Sequence, residues 1–199
     1  MNNGGYPPHF FMGDSIMSTR TQIEFITVYA NETPDNKRTV YRHSDGYPSA
    51  MIPDLLHFIR WNGGRNHDAE YTAANWIYWN KRNDEENYLN LDYEVKRRGH
   101  ITWNSPDVEN DYNNVLKIGH GVCINDEYHW DIEYLYKVID APDETTIEVY
   151  AVDGGYNDNP LEFRLLGKVY VISELIGLSN EKIDSITKEF LQSIHADDD

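Results

Sequence analysis

The chain has 199 residues, of which 40% are hydrophobic and 13% aromatic, and it carries a net charge of −17. This length and this share of large apolar side chains favour one folded domain with its own core and exclude wholesale disorder. The strongly negative charge disfavours direct binding of DNA or RNA, whose phosphates carry the same sign.

The amino-terminal part predicts a loose segment followed by a hairpin. Residues 1–17 are rich in turn-forming residues and show no periodicity, so we expect them to be disordered. Residues 21–29 are β-branched and aromatic and predict a strand, and residues 38–43 predict its hairpin partner.

Two helices are predicted directly after the hairpin. The second is expected over residues 68–81, with Asp68 as its N-cap. The first is indicated by four apolar residues that recur at helical spacing, with Pro53 in the first turn: Ile52, Leu55, Leu56 and Ile59.

The second half of the chain has the densest strand pattern. Short consecutive strands with short links predict an antiparallel sheet. A last helix, capped by Ser179, is expected to lie across that sheet. The expected fold is therefore α+β: an antiparallel sheet, two helices inserted after the first hairpin, and a C-terminal helix packed on the sheet. We expect one domain over residues 18–195 and an acidic tail over 196–199. The strand predictions cover residues 89–95, 116–124, 130–138, 146–152 and 161–172.

The acidity is concentrated in the second half. Residues 101–199 hold 21 acidic and 6 basic residues, a charge of −15, which leaves −2 for residues 1–100. A surface of this charge attracts basic proteins and cations, although improved solubility is the simpler interpretation. The residues predicted to form the binding surface are Asp126, Glu127, Asp131, Glu133, Asp140, Asp143 and Glu144.

Cysteine use and hydropathy bear on the compartment. Cys123 is the single cysteine, which excludes an intramolecular disulfide, and its apolar neighbours predict a buried, inert thiol. The sequence shows neither a signal-peptide pattern nor a stretch of apolar residues that could span a bilayer. We therefore expect a cytoplasmic protein without membrane contact.

Five residues have the chemistry of a hydrolytic site: His43, Asp45, His129, Asp131 and Glu133. If their segments converged, imidazoles and carboxylates could bind Zn²⁺ or Mn²⁺ and activate a water molecule. No cofactor other than such a divalent metal is suggested. The alternative for Asp45 is a turn in which Gly46 takes a positive φ.

The period of two in a strand gives a test of that site. A hairpin closed around residues 125–129 would pair His120 with Tyr134, which puts His120 and Asp131 on opposite faces of the sheet. We therefore expect His120 to be structural, with a buried hydrogen bond to a tyrosine or to the backbone.

Two segments, Tyr41–Pro48 and His129–Tyr136, resemble a pattern in uncharacterised proteins of prokaryotes and their viruses, with the motifs RHSDGYP and DIEYLY. No activity is established for that family, so the resemblance implies no catalytic residue. It implies a small cytoplasmic protein encoded by a virus or a mobile element. Trp130 stands where the pattern has a small residue, which favours packing over chemistry.

Three functions are consistent with the sequence. The first is a non-enzymatic accessory protein that binds a basic protein through its acidic half and inhibits a host nucleic-acid-binding or defence system. The second is a metal-dependent hydrolase of the phosphoesterase type. The third is a structural or virion-associated protein, which would form a stable symmetric oligomer.

Overall fold

The structure is a computed structural model that describes residues 19–29, 36–90, 119–123, 127–155, 160–171 and 179–196. The described residues form six strands, three α-helices and one turn of 3₁₀-helix at Gly63–Arg65. The strands are β1 (Thr21–Thr27), β2 (Asn36–Arg42), β3 (His120–Val122), β4 (Tyr134–Asp140), β5 (Thr145–Asp153) and β6 (Glu162–Val171). The helices are α1 (Pro48–Asn62), α2 (Ala69–Asn90) and α3 (Asn180–Ala196).

All six strands belong to one sheet, in the order β3-β2-β1-β4-β5-β6. The predicted α+β class is confirmed, with two helices after the first hairpin and a C-terminal helix on the sheet. The sheet is mixed, however, because β1 and β4 run parallel while the other four pairings are antiparallel. A parallel pair needs a long crossover, and here the described elements between the two strands are β2, α1, α2 and β3.

The predicted hairpin around residues 125–129 is wrong. β3 pairs with β2 at the edge of the sheet, where His120 lies opposite Arg42, so His120 does not pair with Tyr134. Because two strands separate β3 from β4, the segment between them has to cross a face of the sheet. Backbone hydrogen bonds fix β3 in this place: the Cys123 amide donates to the Thr39 carbonyl at 3.0 Å.

Both predicted helices form, but α1 begins at Pro48, so Pro53 lies inside the helix and not in its first turn as expected, and α2 is longer than expected. Asp68 caps α2, because its side chain accepts hydrogen bonds from the backbone amides of Glu70 and Tyr71 at 3.0 and 3.2 Å. The helix continues past Lys81 to Asn90. The strand predicted over 89–95 is therefore wrong at its first two residues, which belong to the last turn of α2. Residues 91–95 lie outside the described residues.

The three described helices pack on one face of the sheet, called the helix face below. The helix-face side chains of the central strands include Ile23, Phe25, Tyr136 and Ile147, all nearly inaccessible to solvent. Helix α3 contributes its predicted apolar stripe, with Ile183 and Phe190 buried and three more residues packed against the core: Ile186, Leu191 and Ile194. The described elements therefore share one hydrophobic core.

Several predictions concern chain ends and loops that the structure does not describe. The segment 1–17, the strand residues 116–118 and the last three tail residues lie outside the described residues. In the part of the chain that is described, no helix is long and apolar enough to cross a membrane.

Candidate functional site

The second face of the sheet, called the open face below, is crossed by the connection that leads from β3 to β4. Gln22 of β1 is fully buried and holds this connection in place. Its amide nitrogen donates to the Glu127 carbonyl at 3.0 Å and to the Cys123 sulfur at 2.9 Å, and its oxygen accepts from the His129 amide at 2.7 Å. Cys123 is buried, as predicted. A long-range polar contact thus positions residues 127–131.

Glu24 is a buried carboxylate in the middle of the open face, with an exposed fraction of 1%. One oxygen accepts hydrogen bonds from the Lys37 ammonium at 2.8 Å and the Tyr128 hydroxyl at 2.7 Å, and the other oxygen lies 3.4 Å from the Lys137 nitrogen. A buried charge is tolerated when opposite charges and hydrogen bonds compensate for its lost hydration. Tyr128 therefore ties the connection to this ion-pair network.

The network continues along the sheet as a row of alternating charges. Glu24, Lys137, Glu148 and Lys168 lie directly opposite one another on β1, β4, β5 and β6. The carboxylate of Glu148 is 2.5 Å from the Lys168 nitrogen and accepts from the Tyr150 hydroxyl at 2.6 Å. Burial acts to raise the pKa of Glu148, but these two hydrogen bonds and the charges of Lys168 and Lys137 together outweigh it and hold the pKa below its ordinary value. Opposite charges at facing positions stabilise neighbouring strands.

An aromatic patch lies beside this row, where β5 ends and β6 begins. We define it as Tyr128, Trp130, Phe163 and Leu165, which are 36%, 58%, 37% and 45% exposed. The rings of Tyr128 and Phe163 are 4.8 Å apart. The backbone of Trp130 lies against Gly155, where an added Cβ would come 2.0 Å from the Trp130 carbonyl oxygen and where φ is +78°. Only glycine allows this close approach.

Four exposed acidic residues, called the acidic rim below, lie at the same end of the sheet: Glu127, Glu133, Asp153 and Glu162. Asp153 and Glu162 are directly opposite each other on β5 and β6. Like charges at facing positions destabilise a strand pair, so this end of the sheet keeps its negative charge at some cost in stability.

The structure divides the predicted binding residues between the two ends of β4. Glu127, Asp131 and Glu133 precede the strand, whereas Asp140 ends it, followed by the exposed Asp143 and Glu144. With a rise of about 3.3 Å per residue, the two groups are roughly 20 Å apart. Asp126 lies outside the described residues.

Two of these carboxylates are engaged within the protein. Asp131 accepts a hydrogen bond from the Arg20 guanidinium at 2.7 Å. Asp140 is buried, accepts from the Thr145 hydroxyl at 2.6 Å and contacts the His67 ring. The charge of Asp131 is paired with Arg20, and the carboxylate of Asp140 is buried, so neither side chain is presented as a free carboxylate on the surface.

Three of the five catalytic candidates come together around Tyr41. The His129 ring stacks on the Tyr41 ring at 4.5 Å, and the His43 Nδ1 atom lies 3.3 Å from the Tyr41 hydroxyl. Burial and the nearby Asp131 carboxylate raise the pKa of Tyr41, so its hydroxyl stays protonated at neutral pH. The arrangement places two imidazoles and a carboxylate around a phenol that is not activated as a base.

The other two catalytic candidates, Asp45 and Glu133, are not part of the cluster around Tyr41. Asp45 has a φ of +55° and interacts with Tyr47, so the turn residue with positive φ is Asp45 and not Gly46 as expected. Gly46 is needed for space, because an added Cβ would lie 2.8 Å from Thr21 and 2.9 Å from the Thr19 carbonyl. Glu133 is exposed, and its backbone joins Arg20 to Val152.

His120 and Asp131 lie on opposite faces, as expected, although the hairpin that suggested this does not form. His120 is on the helix face, where its ring meets the edge of Trp76, and Asp131 is on the open face near Tyr41. The predicted hydrogen bond of His120 is wrong: both ring nitrogens are buried and have no partner.

A metal centre finds no support in the described part of the chain. Within it, no three His, Cys, Asp or Glu side chains form a group that could hold a metal ion. The hydrolase alternative requires such a group or another activated nucleophile.

The residues that organise the open face were missed in the sequence. The alternation of Gln22 and Glu24 with Ile23 and Phe25 indicates a strand with one polar side, and such a side is ordinarily solvent-exposed. This polar side of β1 is buried by residues 127–131, more than a hundred positions later in the chain. No residue near β1 signals that contact.

Scanned against protein-family models, curated proteins and solved structures, the chain matches none of them. The resemblance of Tyr41–Pro48 and His129–Tyr136 to a viral and prokaryotic family therefore stays a prediction.

Proposed function

We propose that this protein is a non-enzymatic binding protein that docks a basic protein partner on the aromatic patch and the acidic rim. The single observation that carries the proposal is the exposure of Tyr128, Trp130, Phe163 and Leu165 at the end of the sheet where the rim lies. Large exposed aromatic side chains next to polar residues are typical of protein-binding surfaces.

Charge decides which kind of partner suits this surface. A second copy of the chain would bring another −17 and would be repelled at low salt, whereas a lysine- or arginine-rich segment is attracted. Cations also bind aromatic faces, and this sheet already has two such contacts, with Lys37 over Tyr128 at 5.5 Å and Lys137 over Tyr150 at 5.2 Å. The partner class we propose is a protein with a basic groove, including one that otherwise binds nucleic acid and would be inhibited by occupation of that groove.

The rigidity of the surface supports a docking role. Gln22 and Glu24 fix the connection that carries Tyr128 and Trp130, so little conformational entropy is lost when a partner binds. The carboxylates that the fold already uses, Asp131 and Asp140, are not part of the proposed contact.

The test uses a fluorescent model peptide that alternates arginine and glycine, titrated with the protein at low and at physiological salt. We expect binding by the wild type to weaken at least tenfold with the added salt, and Trp130→Ser with Phe163→Ser to weaken it at least tenfold further. The matched control is Tyr78→Ser, which removes a ring that is 59% exposed on α2 and should leave the affinity unchanged.

Two outcomes would contradict the proposal. If the patch variant and Tyr78→Ser bind the peptide alike, the attraction is a general effect of net charge. If the wild type shows no binding at low salt but sediments as a symmetric oligomer, the surface serves self-assembly and the structural alternative gains support.

A further inference from the structure

A second feature lies on the helix face, independent of the docking surface, where α2 meets the edge formed by β2 and β3. The Trp76 indole nitrogen and both His120 ring nitrogens are buried without any hydrogen-bond partner. The two rings are in edge contact, with centroids 6.4 Å apart. Burying a donor without a partner destabilises a fold, and neighbouring buried groups that all lack partners call for a bound water or ion.

The electrostatic surroundings of this pair are positive. Arg42 lies opposite His120 in the sheet, and Lys81 follows Trp76 on α2. Burial, followed by the charges of Arg42 and Lys81, lowers the pKa of His120 to about 3. At neutral pH the ring is therefore uncharged and offers one N–H donor, with the Trp76 N–H as a second donor.

We propose that Trp76 and His120 form an internal site for a small monovalent oxyanion of the carboxylate type. Two N–H donors match the two oxygens of a carboxylate, and the positive surroundings favour an anion over a neutral molecule. A bare water molecule would satisfy the donors but would gain less from the charges of Arg42 and Lys81.

Anion binding should be coupled to a proton on His120. Once the anion is bound, its negative charge favours the imidazolium form, and the second ring nitrogen becomes a donor instead of an unpartnered acceptor. The charged groups that face the ring are Arg42 on β2, which is paired with Asp54, and Lys81 on α2. Because the free ring has a pKa of about 3, the proton is taken up where the pH lies below the raised pKa of the bound state, and in that range the affinity should rise by up to tenfold for each unit that the pH falls.

The experiment follows the Trp76 indole N–H signal by NMR while sodium formate is titrated in, with sodium chloride at equal ionic strength as the reference. We expect formate to move this signal in a saturable way, with a dissociation constant that decreases as the pH is lowered from 7 to 5. Thermal denaturation should show a higher Tm with formate than with chloride.

Three variants separate the site from general effects. His120→Phe and Trp76→Phe keep aromatic rings but remove the nitrogens, so both should lose the formate response, and His120→Phe should be at least as thermally stable as the wild type without formate. Trp79→Phe, which changes a neighbouring buried indole, should keep the response.

An unmoved Trp76 signal would overturn the proposal, as would an equal response to chloride or a full formate response in His120→Phe. Those results would leave the pair enclosing water only. They would not bear on the docking surface, which lies on the other face of the sheet.

Discussion

The central strand β1 is buried on both of its faces, but the two faces are buried by different means. On the helix face, Ile23 and Phe25 pack among the side chains of α1 and α2, and Phe25 contacts the rings of Phe58 and Trp76 at 6.0 and 6.2 Å. On the open face, Gln22 and Glu24 are covered by the connection between β3 and β4 and bind it through hydrogen bonds, while Glu24 also forms ion pairs with lysines of the neighbouring strands.

This difference separates stability from specificity. Apolar burial on the helix face supplies most of the free energy of folding, since it scales with the area removed from water. Polar burial on the open face contributes less net free energy, because each hydrogen bond replaces one with water, but it fixes the geometry of the connection. The proposed docking surface is built on the second kind of contact.

The largest expected effect is on the helix face. Phe25→Ala should lower the free energy of unfolding by about 3–5 kcal/mol, because it removes a fully buried ring and leaves a cavity among Phe58 and Trp76. Urea denaturation measures the change. Val122→Ala, at a site that is 66% exposed, is the control and should change it by less than about 0.5 kcal/mol. A loss below about 1.5 kcal/mol for Phe25→Ala would contradict the central role of the helix face.

The next effect tests the buried carboxylate of the open face. Glu24→Ala should cost about 2 kcal/mol, because it leaves Lys37 and Lys137 without their shared counterion. The cost is smaller than for a fully buried pair, since both lysines remain in partial contact with water. Denaturation of the exposed-site control Glu127→Ala should match the wild type. If both variants behave alike, Glu24 does not hold the network together.

Fixing the connection is the task of Gln22, and its effect should be smaller and more local. Gln22→Met keeps the length of the side chain but removes three hydrogen bonds, which should cost about 1–2 kcal/mol. Hydrogen exchange of the His129 amide should accelerate, and so should that of its neighbours in 127–131, while the amides of β1 stay protected. The control Gln192→Met on α3 should leave this exchange unchanged. Unaltered exchange in Gln22→Met would mean that other contacts hold the connection.

How far the sequence predicts this molecule depends on the range of the interactions. Helix α1 follows from the recurrence of Ile52, Leu55 and Ile59 at helical spacing, and the start of α2 follows from Asp68, because these signals act within one or two turns. The pairing of β3 is different. Its three residues carry no information about whether β2 or β4 is the partner, because strand pairing is decided by contacts that are distant in sequence.

The candidate site divides in the same way. His43, His129 and Asp131 could be named from their residue types, and they do lie close to Tyr41. The central position of Tyr41 itself was not predicted. The seven-residue acidic surface was inferred from charge alone. Charge does not reveal that Asp140 faces Thr145 inside the fold, because a buried and an exposed carboxylate look alike in a sequence.

The smallest expected effect concerns the row of alternating charges that crosses the open face from β1 to β6. Because the folded pKa of Glu148 lies below its ordinary value, its ion pair stabilises the protein above about pH 4.5, and this contribution is lost as the pH falls through the folded pKa. Glu148→Gln should therefore be less stable than the wild type at pH 7, by about 0.5 kcal/mol once solvent screening is included. The difference should shrink below pH 4.5 and in high salt. Glu127→Gln, at an exposed position outside the charge row, is the control and should match the wild type at pH 7. A difference that stays constant from pH 7 to pH 3 would mean that Glu148 acts through packing alone, and the charge row would then be a consequence of strand register and not a source of stability.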